Sequence, residues 1–126
     1  MFEKLEIVRM AQSLAVHAGA RQAQIARNIA NADTPGFKAQ DLAPFAESYG
    51  AAPSAMRATR PGHFAADGST PLAEERLLAT ASSPDGNSVS LEQEMVRAVE
   101  VRQQHEMALA IYRNSSSILR SSLGRR

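Results

Sequence analysis

Ala26-Arg27-Asn28-Ile29-Ala30-Asn31-Ala32-Asp33-Thr34-Pro35-Gly36-Phe37-Lys38 reads as the last turns of a long helix followed by a hard stop. Ile25 and Ile29 sit four residues apart and share a helix face. Asn28 and Asn31 share a neighbouring face. Asparagine is poor in a helix interior because its amide competes for backbone hydrogen bonds. Two asparagines at a helix end therefore point to amides with assigned partners. Pro35 forbids continuation and biases Thr34 away from the α region. Pro35-Gly36 fits the middle of a type II turn, with Gly36 supplying the positive φ. Phe37, one of six aromatics (four Phe and two Tyr), follows at once and is expected to fold back as an anchor.

Working outward, the segment before the stop reads as one helix from about Phe2 to Ala32. Ile7, Met10, Leu14, Ala18, Ile25 and Ile29 form an apolar stripe at helical spacing, widened by alanines. Such a helix is about 45 Å long at 1.5 Å per residue, too long to be wrapped by a small domain of its own. It needs a long partner. That partner reads from Ser90 onward. Ser90-Leu91-Glu92-Gln93 matches a capping box, and Glu92 and Glu94 suit the positive end of a helix dipole. Leu91, Met95, Ala98, Arg102, His105, Leu109, Tyr112 and Leu119 make one strip. Val99, Met107, Ile111, Ile118 and Leu123 lie along others. A helix apolar around much of its circumference is expected to be contacted on more than one side. Arg113, Arg120, Arg125 and Arg126 gather late, as suits a helix C-terminus, and Gly124 ends it.

Between the helices, composition shifts. From Glu47 to about Pro84 the chain is dense in Ala, Pro, Gly and Ser, with turn signals at 50–54, 60–64, 67–71 and 82–87. A stretch of this kind is uncommon inside a compact domain, and is expected to be mobile or ordered only against neighbours. Short strands stay open, for example near Arg76–Thr80. The expected fold is mainly α: two long terminal helices form an antiparallel coiled-coil-like hairpin with an irregular, loop-rich middle. The expected divisions are 1–46 for the first helix and turn, 47–84 for the middle and 85–126 for the second helix. The first and third together make the core.

The bulk numbers narrow the function. The chain has 126 residues, with 14 basic and 13 acidic side chains and a net charge of +1, which gives no global attraction to nucleic acid or anionic lipid. Apolar residues make up 44 %, but many are alanine, so the core available to one copy is thin. With no cysteine, disulfides, thiolate metal sites and cysteine catalysis are excluded. No apolar run reaches about 18 residues, the length of a membrane span. Met1–Glu6 mixes charges with no apolar region behind it, so no Sec-type signal is expected. His105-Glu106-Met107-Ala108-Leu109 starts like a zinc-protease motif but carries Leu109 where the second histidine must stand. His17 and His63 have no ligand set at metal spacing, and His17 reads as a helix-face residue. There is no Gly-x-Ser-x-Gly elbow and no phosphate-cradling glycine loop. Glu74-Glu75 reads as solvated surface. No catalytic, cofactor or metal residues are assigned.

At Ala30-Asn31-Ala32-Asp33-Thr34-Pro35-Gly36-Phe37 the sequence resembles the Ala-Asn-x-x-Thr-x-Gly-(Phe/Tyr) signature of the flagellar basal-body rod and hook axial proteins. Asp85-Gly86-Asn87-Ser88-Val89-Ser90-Leu91-Glu92-Gln93-Glu94-Met95 is similar to a run of the short proximal rod proteins, and Thr59–Phe64 to another of their segments. Ser90 departs from the aspartate common there, but is an equally good N-cap. The short chain favours the proximal rod proteins over the longer distal rod and hook proteins. The resemblance implies a structural subunit that polymerises into the proximal rod between the MS ring and the distal rod and transmits torque. It also implies export by the flagellar type III apparatus. The partners implied are the MS-ring protein FliF, the ring–rod junction protein FliE, other proximal rod proteins and further copies of the chain. Asn28, Asn31, Thr34, Pro35, Gly36 and Phe37 would be assembly residues at the helix end. Asp85, Gly86, Asn87, Leu91 and Met95 would serve at the start of the second helix. The alternatives are another axial or junction subunit, or a cytosolic α-hairpin adaptor. The adaptor would melt cooperatively as a monomer, whereas a rod subunit would be largely disordered before assembly.

Overall fold

The computed structural model describes residues 2–50 and 73–124. In chain order the elements are α1 (Phe2–Ala30), β1 (Gln40–Leu42), α2 (Phe45–Gly50), β2 (Glu75–Leu77) and α3 (Leu91–Ser122). Helices α1 and α3 are 29 and 32 residues long and pack against each other as an antiparallel hairpin. The start of α3 meets the end of α1, where Asn28 Nδ2 donates to Glu94 Oε2 at 3.2 Å.

The seam is built from a seven-residue repeat. Ala11, Ala18 and Ile25 are buried on α1, and Val101 and Ala108 on α3, with Ala98 packed beside them. Steps of seven keep one face turned to the partner helix, and small side chains let the backbones approach. Among the described residues, only Ile25 and Val101 are large aliphatic groups in this core, each contributing about 1.5–3 kcal/mol on burial. The thin core expected from the alanine content is thus observed.

The structure corrects the reading at several points. Helix α1 stops at Ala30 rather than Ala32, because residues 31–36 already form turns. Ser90 stands at the N-cap in an extended conformation (φ −106°, ψ 112°), but its hydroxyl makes no cap bond, so the capping box is not formed. That end is held elsewhere: Asn87 Oδ1 accepts from Val89 N–H at 2.8 Å, and Glu94 is drawn into the core. The buried positions of α3 are Glu94, Val101 and Ala108, not the strip running through Leu91 and Met95, both of which are exposed. Apolar groups spread around the helix left several faces equivalent, and the polar demand of Glu94 selects among them.

A short strand does form near Arg76, at Glu75–Leu77, and its partner lies just after the turn. β1 pairs antiparallel with β2 in the register Gln40–Leu77, Asp41–Arg76 and Leu42–Glu75. Ala43 N–H to Glu74 O and Leu78 N–H to Ala39 O, both 2.9 Å, extend the pairing at each end. The six-residue α2 begins at Phe45, so Glu47–Gly50 is helical where a loop was expected. It is fixed to α1 by His17, whose Nε2–H donates to Ala43 O at 2.8 Å and whose ring meets Phe45 edge-on at 5.6 Å. His17 thus stands on a face of α1 as expected, but that face is buried and the side chain is a joint to the segment after the turn. Most of the loop-rich middle expected at 47–84 lies at 51–72, outside the described residues, as do the Thr59–Phe64 segment and His63.

Candidate functional site: the corner where the two helices meet

The turn after α1 follows from its residues. Asn31 Nδ2 donates back to Arg27 O at 2.8 Å, closing the last helical turn with a side chain. Its Oδ1 accepts from the Thr34 hydroxyl at 3.2 Å, and its carbonyl accepts from Thr34 N–H at 3.0 Å. Phe37 N–H then bonds Thr34 O at 3.3 Å, with Pro35 and Gly36 between them and Gly36 at φ +74°. This is type II geometry, which requires a positive φ at its third residue.

Asn87 completes the corner from the other end of the chain. Its side chain is buried, and its Nδ2 lies 3.0, 2.7 and 2.9 Å from the carbonyls of Asn31, Ala32 and Thr34. Two amide hydrogens serve three acceptors, so one is shared. These carbonyls belong to the turn that follows the end of α1 at Ala30, and their donor comes from more than fifty residues away in sequence. The loop that carries it is held by its own turn: Gly86 N–H bonds Ser83 O at 2.8 Å, Ser83 N–H bonds Asn87 O at 2.7 Å, and Gly86 has φ +84°. The loop also meets the first turn through main chain, with Gly36 N–H to Asp85 O and Ser88 N–H to Phe37 O, both 3.0 Å. A Cβ on Gly86 would stand 3.4 Å from Gly36 Cα. That is an ordinary contact distance, so it is the left-handed backbone at both positions, not a lack of space, that calls for glycine.

Below the turn lies a polar core. Asn28, with no exposed surface, pairs with the backbone of Gln40: Nδ2 donates to its carbonyl at 2.7 Å and Oδ1 accepts from its N–H at 3.2 Å. The same Nδ2 reaches Glu94, which is fully buried and also paired with Arg97. Arg21 forks onto Asp41 with Nε–Oδ1 at 2.8 Å and Nη2–Oδ2 at 2.6 Å, and Leu42 N–H donates to Asp41 Oδ1 at 2.8 Å. Burial alone would raise the Asp41 pKa, but the bonds from Arg21 and Leu42 outweigh it and hold it below the usual carboxylate value. The same bond to Asp41 raises the pKa of Arg21.

These directions fix a pH dependence. A carboxyl group with a depressed folded pKa contributes stability above its unfolded pKa, and that contribution is lost as pH falls through the folded value. Asp41→Asn is therefore expected to cost about 2 kcal/mol at pH 7. It should also flatten the part of the acid-unfolding curve that lies below about pH 4, the ordinary carboxylate range. Thermal melts of both chains in their assembled state between pH 7 and pH 2 check this. Parallel curves would mean that the Arg21–Asp41 pair carries no pH-linked stability.

Of the residues singled out from sequence, the structure brings Asn28, Asn31, Thr34, Pro35, Gly36, Phe37, Asp85, Gly86 and Asn87 into one knot. Phe37 is half-buried, and its main chain makes the tie to Ser88. Leu91 and Met95 are not part of the knot; both face outward on α3. The sequence reading missed Arg21, Gln40, Asp41, Ser88, Glu94 and Arg97. One signal was available: from Ile7 to Ala32 the chain carries no carboxylate, so a buried arginine there must find its partner elsewhere. Among the described residues, no cluster of three or more His, Asp or Glu side chains could hold a metal, and no helix is long and apolar enough to cross a membrane.

Comparison with known proteins places this corner in context. A family model described as flagella basal body rod protein matches residues 14–38, from the middle of α1 through the turn. The flagellar basal body rod protein FlgB of Agrobacterium fabrum is 29 % identical over 123 residues, covering 89 % of this chain and 88 % of the relative. The proteins of the same name from Escherichia coli and Shigella flexneri are each 31 % identical over 122 residues, covering 87 % of this chain and 88 % of theirs.

Proposed function

Because the chain belongs to the FlgB family of flagellar basal body rod proteins, we propose that it polymerises into the proximal rod and transmits torque between the MS ring and the distal rod. Its role is structural, not enzymatic. In this reading 1–46 and 85–126 form the rod core, and 47–84 projects from it. The chain reaches the rod through the flagellar type III export apparatus. It assembles with further copies, other proximal rod proteins, the ring–rod junction protein FliE and the MS-ring protein FliF.

The observation that carries the proposal is the imbalance between the hairpin's seam and its surface. The seam buries Ile25, Val101 and alanines, while Val16, Met95, Val96, Val99, Met107 and Ile118 are more than half exposed. A chain that leaves this much apolar surface in water gains by packing side by side with others, and assembly offsets the cost of ordering it. Torque spread over many helix contacts suits a tube better than one strong joint. The corner's part is to fix where α1 ends, so that every copy presents the same surfaces. Asn28, Asn31, Thr34, Pro35, Gly36, Phe37, Asp85, Gly86 and Asn87 serve that end, and Leu91 and Met95 serve as outward contacts.

Asn31→Ala removes the bonds to Arg27 O and from the Thr34 hydroxyl. It is expected to block rod assembly while leaving secretion of the chain intact. The readout is the chain's presence in culture medium and its absence from purified basal bodies. Normal basal bodies containing the variant would overturn the role assigned to Asn31.

A further inference from the structure

Two peptide bonds in the loop before α3 are of a kind that rearranges without an enzyme. Asp85 precedes Gly86, and Asn87 precedes Ser88. In an open chain the next backbone nitrogen can attack the side-chain Cγ and close a succinimide ring. The attack is easiest where a small residue follows, because little shields the nitrogen or restricts the backbone.

In the closed corner both attacks are blocked. Ser88 N–H donates to Phe37 O at 3.0 Å and Gly86 N–H to Ser83 O at 2.8 Å, so each nucleophile keeps its hydrogen in a bond. The groups they would attack are held as well. Asn87 Oδ1 accepts from Val89 N–H at 2.8 Å, while Nδ2 serves the carbonyls of Asn31, Ala32 and Thr34. Asp85 Oδ1 accepts from Asn87 N–H at 3.0 Å. Asn87 and Ser88 are 2 and 4 % exposed, which keeps away the water that would take the proton from the Ser88 nitrogen. The Asn87 amide cannot leave without breaking the bonds that hold the corner shut.

We propose that Asp85 and Asn87 are sites of spontaneous modification in the unassembled chain, that the closed corner suppresses the reaction at both, and that the products cannot close it. At Asn87 the Ser88 nitrogen bonds to Cγ, the Cγ–Nδ2 bond breaks, and ammonia leaves with the Ser88 amide hydrogen. Water then opens the ring at either carbonyl, giving aspartate or isoaspartate. At Asp85 the Gly86 nitrogen bonds to Cγ, a carboxyl oxygen leaves as water with the Gly86 amide hydrogen and a proton from solvent, and water reopens the ring to the same two products. An aspartate at 87 turns a carboxylate on three carbonyl oxygens. An isoaspartate adds a methylene to the main chain where Gly36 N–H meets Asp85 O and Ser88 N–H meets Phe37 O. The loop thereby limits how long a chain stays fit for assembly. The protection follows from the corner's geometry, whereas the limit on waiting chains rests also on the rod reading.

The full-length chain is held at mildly alkaline pH in two states, dissolved in guanidinium chloride and concentrated under native conditions. Samples are digested over time and read by mass spectrometry with separation of the aspartate and isoaspartate peptides. In guanidinium, Asn87 should deamidate at the rate of Asn114, which also precedes a serine, and isoaspartate should accumulate at position 85. Under native conditions the conversions at 85 and 87 should slow about tenfold or more, because they proceed only through local opening. Equal rates in the two states overturn the protection. The aged chain is then mixed with isotope-labelled fresh chain, freed of denaturant and concentrated. Sedimented assemblies should hold modified chains at about one-fifth or less of their share in the mixture. Equal incorporation overturns the exclusion. Fresh chain that sediments at no concentration refutes the rod reading and with it the limit on waiting chains, while the two rates still decide the protection.

Discussion

Asn87→Ala is expected to open the corner and cost about 3 kcal/mol. The Asn87 amide is the donor that ties the carbonyls of Asn31, Ala32 and Thr34 to the loop before α3. A buried acceptor that loses its donor costs about 1–3 kcal/mol. The three losses do not add in full, because Thr34 is exposed and water can reach its carbonyl once the side chain is gone. The variant also loses the bond from Val89 N–H that orders the approach to α3. For a chain whose large buried aliphatics are Ile25 and Val101, this is comparable to a domain's whole margin of about 5 kcal/mol. Circular dichroism should show lost helix, and basal bodies should lack the variant. Asn87→Asp sharpens the test, because a carboxylate aimed at three carbonyl oxygens repels them and should be worse than alanine. An aspartate variant as helical as the parent would mean that the amide is not a donor there.

Arg97→Met should be at least as damaging. Glu94 has no exposed surface and is held by Arg97 and by Asn28 Nδ2. Removing one partner of a buried ion pair costs about 3–5 kcal/mol, because the remaining charge stays buried without compensation. Methionine keeps the packing of the arginine stem, so the loss reports the charge and not a cavity. Adding Glu94→Gln to the variant removes the stranded charge, while Gln Oε1 can still accept from Asn28. The double variant is expected to recover most of the loss, a strong departure from additivity. Denaturant unfolding of the four chains in their assembled state measures it. Additive losses would show that Glu94 and Arg97 act independently.

The helices were legible in the sequence because their signals are local. The asparagine pair and Thr34-Pro35-Gly36 mark one stop, and periodic apolar residues run up to it. Gly36 could be assigned its positive φ from the turn alone. The face of each helix was harder. On α3 the apolar residues surround the helix, and what chooses the seam is a buried glutamate answered by Asn28 on α1, a contact across more than sixty residues of chain. The role of Asn87 was hidden for the same reason: its place beside Gly86 suggested a turn, while its amide ties down the carbonyls of the turn that follows α1, more than fifty residues earlier in the chain. β1, β2 and α2 carry too few residues for periodicity to show, and they are fixed to α1 by Arg21, which holds Asp41 of β1, and by His17. The family signature, by contrast, falls on the local part of the corner, and there the sequence alone pointed to a rod subunit.

The most direct test of the account is a density map of intact basal bodies carrying this chain. It should show the α1–α3 hairpin repeated in the proximal rod, with residues 31–37 turning sharply against residues 83–89 in every copy. A rod without this chain, or an α1 that runs straight through residue 36 with the 83–89 loop elsewhere, would contradict it.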